Sequence, residues 1–151
     1  MATLRLHDAT DLAHPGLEPF RTLRRQRDLE RRAQFVAEGE AVVLRLLASP
    51  YPVTSMLTTP ARLERLRAAL DARSDEIDVF LAPDDDGVRR VSGFVSAPVK
   101  AFACVLHPPT LDDLLRDAPS PRLLVALDGL ASAENVGVVV RNAAGLGAHG
   151  I

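Results

Sequence analysis

From residue 34 onward the chain alternates short apolar runs with stretches of helical periodicity, and this alternation constrains its fold more than any other feature. Strands joined by helices must pack those helices against the sheet they form, so the pattern specifies an α/β layer architecture. The apolar runs predict strands at residues 35–37, 53–57, 77–81, 101–106 and 123–127. Between them, apolar spacing of three and four predicts helices over residues 40–48, 61–72 (after Pro60), 85–91 and 111–116. Up to about residue 106 this makes one compact α/β/α sandwich.

The next stretch, 107–121, carries Pro108, Pro109, Pro119 and Pro121 around one short amphipathic helix, which is the composition of a linker. After it come L-L-V-A-L at 123–127, expected as a buried strand, a loop over 128–134, and a helix over about 135–146. A further parallel strand is expected to begin at His149-Gly150-Ile151. A strand, loop and helix without a return strand are half of a βαβ unit and cannot bury both faces of the strand. The expected domains are therefore 1–106, a linker over 107–121, and the opening of a second α/β domain over 122–151, with the sequence read as the front part of a longer protein.

Apolar residues are 47% and charged residues 25% of the chain, the balance of a globular protein. No apolar run approaches the ~20 residues that cross a bilayer, and the amino terminus lacks a basic segment followed by an apolar one. The expectation is a cytoplasmic protein with no membrane role. The single cysteine, Cys104, lies in an apolar run and reads as a small buried hydrophobe. His7, His14, His107 and His149 show no ligand spacing, so no metal site is expected.

The net charge of −2 conceals an asymmetry. Arg21, Arg24, Arg25, Arg27, Arg31 and Arg32 stand against only Asp28 and Glu30, on what reads as a single helix over residues 17–33. On a helical wheel Leu23, Leu29 and Ala33 oppose the arginine arc, so the helix is expected to dock by one face and present cations on the other. Intrahelical pairing would leave positive charge over, which suits an RNA backbone. The seven acids between Asp71 and Asp86 read as solvated surface, and Glu38 as a cap for the helix after it.

The last segment carries the chemistry. In the helix over 135–146, Val136, Val139, Val140, Ala143 and Ala144 form an apolar face, while Asn135, Val138, Arg141, Asn142 and Gly145 point away. Asn135 and Arg141 stand about 9 Å apart along the axis, above the carboxyl ends of the strands, where open α/β sheets bind ligands. The string G-L-G-A-H-G at 145–150 mimics a dinucleotide fingerprint but closes a helix instead of opening one, so it reads as helix termination.

An Asp after a buried strand, then Asn-Val-Gly, an Arg six residues after the Asn, an Ala and a closing Gly occur here as Asp128, Asn135, Gly137, Arg141, Ala143 and Gly147. This pattern resembles the first motif of the SpoU/TrmH-type (SPOUT superfamily) RNA 2'-O-ribose methyltransferases. Upstream, F-V-A-E-G-E at 35–40 behind an arginine-rich segment resembles the opening of the L30e-like substrate-binding domain of that family. The resemblance implies an RNA-binding L30e-like domain followed by the start of a trefoil-knot catalytic domain. It also implies S-adenosylmethionine as methyl donor, ribosomal or transfer RNA as substrate, and a homodimer formed through complete catalytic domains. The motifs that build most of the donor pocket are absent from this sequence, so the chain alone is expected to be inactive and not to bind the donor. The family places an Arg at the position of Arg141 beside the ribose 2'-hydroxyl, with Asn135 supporting it. A guanidinium whose pKa exceeds ~12 is a poor base, so Arg141 is expected to grip a phosphate and stabilise the forming alkoxide. The rivals are a stand-alone L30e-like RNA-binding adaptor without catalysis and a small nucleotide-binding α/β protein.

Overall fold

The computed structural model describes residues 2–22, 33–93, 99–104 and 110–151, and falls into two compact units, Met1–Leu106 and His107–Ile151. The first unit is a mixed α/β sandwich on a single sheet. Its strands are β1 (Thr3–Asp8), β2 (Gln34–Glu38), β3 (Val53–Thr58), β4 (Glu76–Leu81) and β5 (Lys100–Cys104), in spatial order β1-β4-β3-β5-β2. β1, β4 and β3 are parallel neighbours, whereas β5 runs antiparallel to both β3 and β2. β2 and β3 therefore point the same way. The links through α2 (Glu40–Leu47) and α3 (Pro60–Asp71) are helical crossovers, the connection that strands of common direction require.

Side chains of successive strand residues alternate between two cores. Met56, Val79, Ala101 and Ala103 meet Val43, Leu46 and Leu47 of α2 and Leu63, Leu66 and Leu70 of α3. Leu57, Phe80 and Phe102 face the other way, onto Leu17, Phe20 and Val88 and Val91 of α4 (Asp85–Ser92). Local chemistry sets the helix ends. Pro60 opens α3 after an extended Thr59. Asp84 Oδ1 accepts from Gly87 N at 2.7 Å to cap α4, which stops at Gly93 in the left-handed region, φ 73°.

Two expectations in this unit are corrected. The amino terminus, read as a polar start, is an edge strand: Thr3 to Asp8 pair in register with Glu76 to Leu81. Leu6 stays 59% exposed, so burial is a weak reason for the strand to form. Backbone pairing and the reach of Arg5 and His7 to Asp78 recruit it. The helix expected over residues 17–33 also differs at its described ends. A 3-10 turn (Pro15–Leu17) leads into α1 (Glu18–Arg21), and Thr22 leaves helical geometry at φ −104° and ψ 19°. The Thr22 hydroxyl donates to the Glu18 carbonyl at 3.1 Å, a back-bond of the kind that competes with helix continuation. Docking falls to Leu17 and Phe20, both fully buried. Ala33 is exposed in a turn at φ 48° and is no part of a docking face. Leu23, Arg24, Arg25, Arg27, Leu29, Arg31 and Arg32 lie outside the described residues.

In the second unit, α5 (Leu111–Asp117) begins with a reciprocal cap: Thr110 Oγ1 accepts from Asp113 N at 3.2 Å, and Asp113 Oδ2 accepts from Thr110 N at 3.0 Å. The run 123–127, expected as a buried strand, makes a single parallel bridge, Leu124 to Gly150. Leu123, Leu124 and Leu127 are 45%, 36% and 37% exposed. A strand is buried by neighbours on both edges and both faces, and here the described residues supply one bridged partner. His149 N donates to the Leu123 carbonyl at 2.8 Å and Val125 N to the Gly150 carbonyl at 3.0 Å, so the start of a parallel pairing is in place.

Candidate functional site

The candidate site lies on α6 (Ala133–Gly145). Ser132 caps it, its Oγ accepting from Asn135 N at 3.3 Å, and Glu134 places a carboxylate in the first turn, where the helix dipole favours it. At the other end Gly147, φ 77°, donates to the Ala144 carbonyl and Ala148 N to the Ala143 carbonyl. This pair of bonds is a Schellman closure, and it assigns the glycine string to helix termination.

Asn135 and Arg141 are both exposed, as are Gly137 and Asn142. The two candidate catalytic residues are thus both accessible, six residues apart on one helix. Its apolar face is less covered than the periodicity implies. Ala143 is buried and Val136 and Val139 are half-buried, but Val140 is 42% exposed and Ala144 is exposed too.

The expected RNA-binding residues belong to the first unit. Arg21 is exposed at the end of α1; the other five arginines lie outside the described residues. Beyond the carboxyl ends of β3 and β4 there is an open cleft of about 670 Å³ lined by Thr59, Pro60, Ala61, Pro83, Asp84, Asp85, Asp86 and Arg89. Three aspartates against one arginine make it a poor seat for a polyanion.

Several acids expected as plain surface are engaged. Arg5 Nε donates to Asp78 Oδ1 at 2.9 Å and its Nη1 to Glu76 at 3.2 Å, while His7 Nε2 also lies 2.9 Å from Asp78 Oδ1. The hydrogen bond from Arg5, with that from His7, holds the Asp78 carboxyl below its ordinary range against an opposing effect of desolvation. Arg73 pairs with Asp75.

Glu38 does not cap α2, whose N-cap is Gly39 at φ 95° without a side-chain bond. Its Oε2 lies 3.8 Å from Nζ of Lys100, which is fully buried. Burial pushes the Lys100 ammonium down and Glu38 partly restores it. Sequence reasoning passed over Lys100; the available signal was a lysine directly before an apolar run.

No protein-family model matches the chain. An uncharacterized tRNA/rRNA methyltransferase of Mycobacterium bovis is 33% identical over 152 residues, covering 95% of this chain and 49% of the relative. A second one, from Mycobacterium tuberculosis, matches equally. The chain spans about half the length of these curated relatives. Among solved structures, an rRNA methyltransferase from Sinorhizobium meliloti superposes with a TM-score of 0.71 at 19% identity, over 97% of this chain and 53% of that one. Its AdoMet-bound form gives 0.68, at 19% identity over 95% and 52%. An RNA 2'-O ribose methyltransferase gives 0.61, at 20% identity over 98% and 53%. The relatives and structural neighbours of this chain are tRNA/rRNA methyltransferases of the SpoU/TrmH type, and the chain matches the amino-terminal part of these.

Proposed function

We propose that this chain is the RNA-gripping and ribose-orienting part of an S-adenosylmethionine-dependent enzyme that methylates the 2'-hydroxyl of ribosomal or transfer RNA. The observation that carries the reading is α6, which carries Asn135 and Arg141, both exposed, between the two residues of the parallel Leu124–Gly150 bridge. In this reading residues 1–106 are an L30e-like substrate-binding domain, 107–121 a linker, and 122–151 the opening of a trefoil-knot catalytic domain. The complete protein works as a cytoplasmic homodimer.

Among the described residues of the second unit, the cavity beside α5 does not fit a site for the donor. The cavity lined by Asp113, Leu114, Asp117, Ala118, Pro119 and His149 has a volume of about 230 Å³, below the ~300–1,000 Å³ of ordinary cofactor pockets. We assign donor binding to the half of the relatives that this chain does not span, and expect this chain alone to be inactive.

What the chain contributes is orientation and charge. Arg141 offers a planar fork of donors that fits a phosphate through two bonds, and a fixed cation beside the ribose favours oxygen as it acquires negative charge. Asn135, six residues earlier, holds the sugar by neutral hydrogen bonds. The 2'-hydroxyl proton passes to solvent water as the oxygen takes the methyl group, so neither residue has to accept it.

The test is a methylation assay on the full-length protein with isotopically labelled S-adenosylmethionine and bulk ribosomal and transfer RNA, digested and analysed by mass spectrometry. A ribose-methylated nucleoside is the expected product. Base methylation alone would overturn the 2'-O assignment, and RNA binding without any transfer would favour the adaptor.

A further inference from the structure

Leu123 and His149 lie 26 residues apart in the chain and meet through two hydrogen bonds. His149 N donates to the Leu123 carbonyl at 2.8 Å, and Leu123 N donates to Nδ1 of the His149 ring at 3.1 Å. One residue thus satisfies both backbone groups of the other. In a parallel ladder an N–H ordinarily finds a carbonyl, and the reason it finds a ring here lies just before residue 149. Leu146 N, Gly147 N and Ala148 N all turn back onto α6, to the carbonyls of Asn142, Ala144 and Ala143. Main-chain pairing with the run at 123–127 begins only at His149 and continues with Val125 N on the Gly150 carbonyl at 3.0 Å. Where Leu123 N needs an acceptor the chain is still closing α6, and the imidazole takes the place of a carbonyl.

This bond fixes the state of the ring. An amide N–H only donates, so Nδ1 accepts and the proton of the neutral imidazole sits on Nε2. His149 also borders a cavity with Asp113 and Asp117 of α5, and a Cβ at Gly150 would come within 2.7 Å of Leu114 on the same helix. The start of the 123–127 run, the end of α6 and one face of α5 therefore converge on His149-Gly150. Arg141 directly precedes Asn142, Ala143 and Ala144, whose carbonyls receive the three returning N–H groups. The link from Leu123 to the turn that carries Arg141 runs through His149 and Ala148.

Resting on the reading of Arg141 as the cation that orients the ribose, we propose that His149 is a positioning residue for it. The bond from Leu123 N to Nδ1 locks the strand to the last turn of α6 and so holds the guanidinium in place. A shift of about 1 Å in a group that acts in the transition state can cost about 100-fold in rate. An exposed hydrogen bond at this junction therefore weighs more on methyl transfer than on stability.

The ring nitrogens give a readout that needs no activity. Long-range proton–nitrogen correlations in NMR spectra of the 151-residue chain are expected to show the neutral His149 ring with its proton on Nε2. In the full-length protein, single-turnover methylation at saturating RNA and S-adenosylmethionine is expected to slow about tenfold in His149→Leu and to return to within about threefold of wild type in His149→Asn. Asparagine restores the acceptor, because its Oδ1 stands as many bonds from Cα as Nδ1 does, and RNA and donor affinities are expected to hold in both variants. A role of ring bulk alone predicts the reverse order, since leucine fills the space of the ring better than asparagine. Thermal melting of both variants reads the fold separately, and if His149→Leu does not fold, the tautomer and the His149→Asn rate decide. A proton on Nδ1, a wild-type rate in His149→Leu, or a His149→Asn that folds and is about tenfold slow overturns the positioning role while ribose methylation stands. A wild-type full-length protein that methylates no ribose removes the functional reading and this role together.

Discussion

Arg62 holds Asp85 through two parallel hydrogen bonds, Nε to Oδ1 at 3.0 Å and Nη2 to Oδ2 at 2.8 Å, and its remaining Nη1 reaches Glu40 at 3.2 Å. Glu40 starts α2, Arg62 lies in the first turn of α3, and Asp85 starts α4. α2 and α3 pack on one face of the sheet and α4 on the other. One side chain therefore clasps both layers across the carboxyl ends of β3 and β4.

Removing this clasp has a predictable pH signature. The hydrogen bond from Arg62 lowers the Asp85 pKa from 3.8, with burial opposing. A carboxyl lowered in the folded state contributes stability that is fully present above its unfolded value and is lost as pH falls through its folded value. Arg62→Ala is expected to cost about 1 kcal/mol near neutrality, roughly 4–8 °C in Tm for a unit of this size. The gap between wild type and Asp85→Asn should close as the pH drops below the ordinary carboxylate range. Thermal melts from neutral to strongly acid pH check both, and a gap that persists in acid would show that the carboxylate charge is irrelevant.

Gly16 offers a steric test of the opposite core. A Cβ there would overlap the tip of the Phe80 ring, and Phe80 has no room to yield: it is 1% exposed, stacked on His7 at 4.9 Å and edge-on to Phe20 at 5.9 Å. Gly16→Ala is expected to destabilise the protein by about 1–3 kcal/mol through overpacking. Urea unfolding measures this, and an unchanged midpoint would mean that the 3-10 turn is free to lift from the sheet.

Arg141 is exposed on α6, so Arg141→Ala should leave the melting temperature unchanged. In the full-length protein the same change is expected to remove most methyl transfer while donor binding persists, because the contact forms chiefly in the transition state. Arg141→Lys should fail as well, since a point charge lacks the two-pronged geometry. Single-turnover methylation within a few-fold of wild type would take Arg141 out of the mechanism.

The arginine segment is tested by charge reversal. Arg24, Arg27 and Arg31 changed together to Glu should weaken RNA binding severely and flatten its dependence on salt, because affinity falls with a log-log slope of about −0.7 per phosphate neutralised on single strands. Docking of α1 rests on Leu17 and Phe20, so the fold should survive. Unchanged affinity and slope in a variant that melts normally would place the RNA contact elsewhere.

The sequence by itself determined the features that depend on near neighbours. The positions of β2 to β5 and of α2 to α6 follow from apolar periodicity. Their ends follow from Pro60, Asp84, Gly93, Thr110, Ser132 and Gly147, because a cap satisfies backbone groups within four or five residues of itself. That Asn135 and Arg141 share one helix was legible for the same reason.

The tertiary structure alone decided what depends on partners distant in sequence. β1 exists because Glu76 to Leu81 offer it a free edge, and of its two leucines only Leu4 packs against the core while Leu6 stays exposed. The run at 123–127 has a strand's composition but is left with one bridge, because strand formation needs a neighbour that composition does not provide. Glu38 faces Lys100 instead of capping α2 because the antiparallel register of β2 and β5 sets those two residues opposite each other. Arg62 and Arg73 look like ordinary surface cations in the sequence. Only the fold brings carboxylates and carbonyls from more than 20 residues away into their reach, and so turns them into clasps.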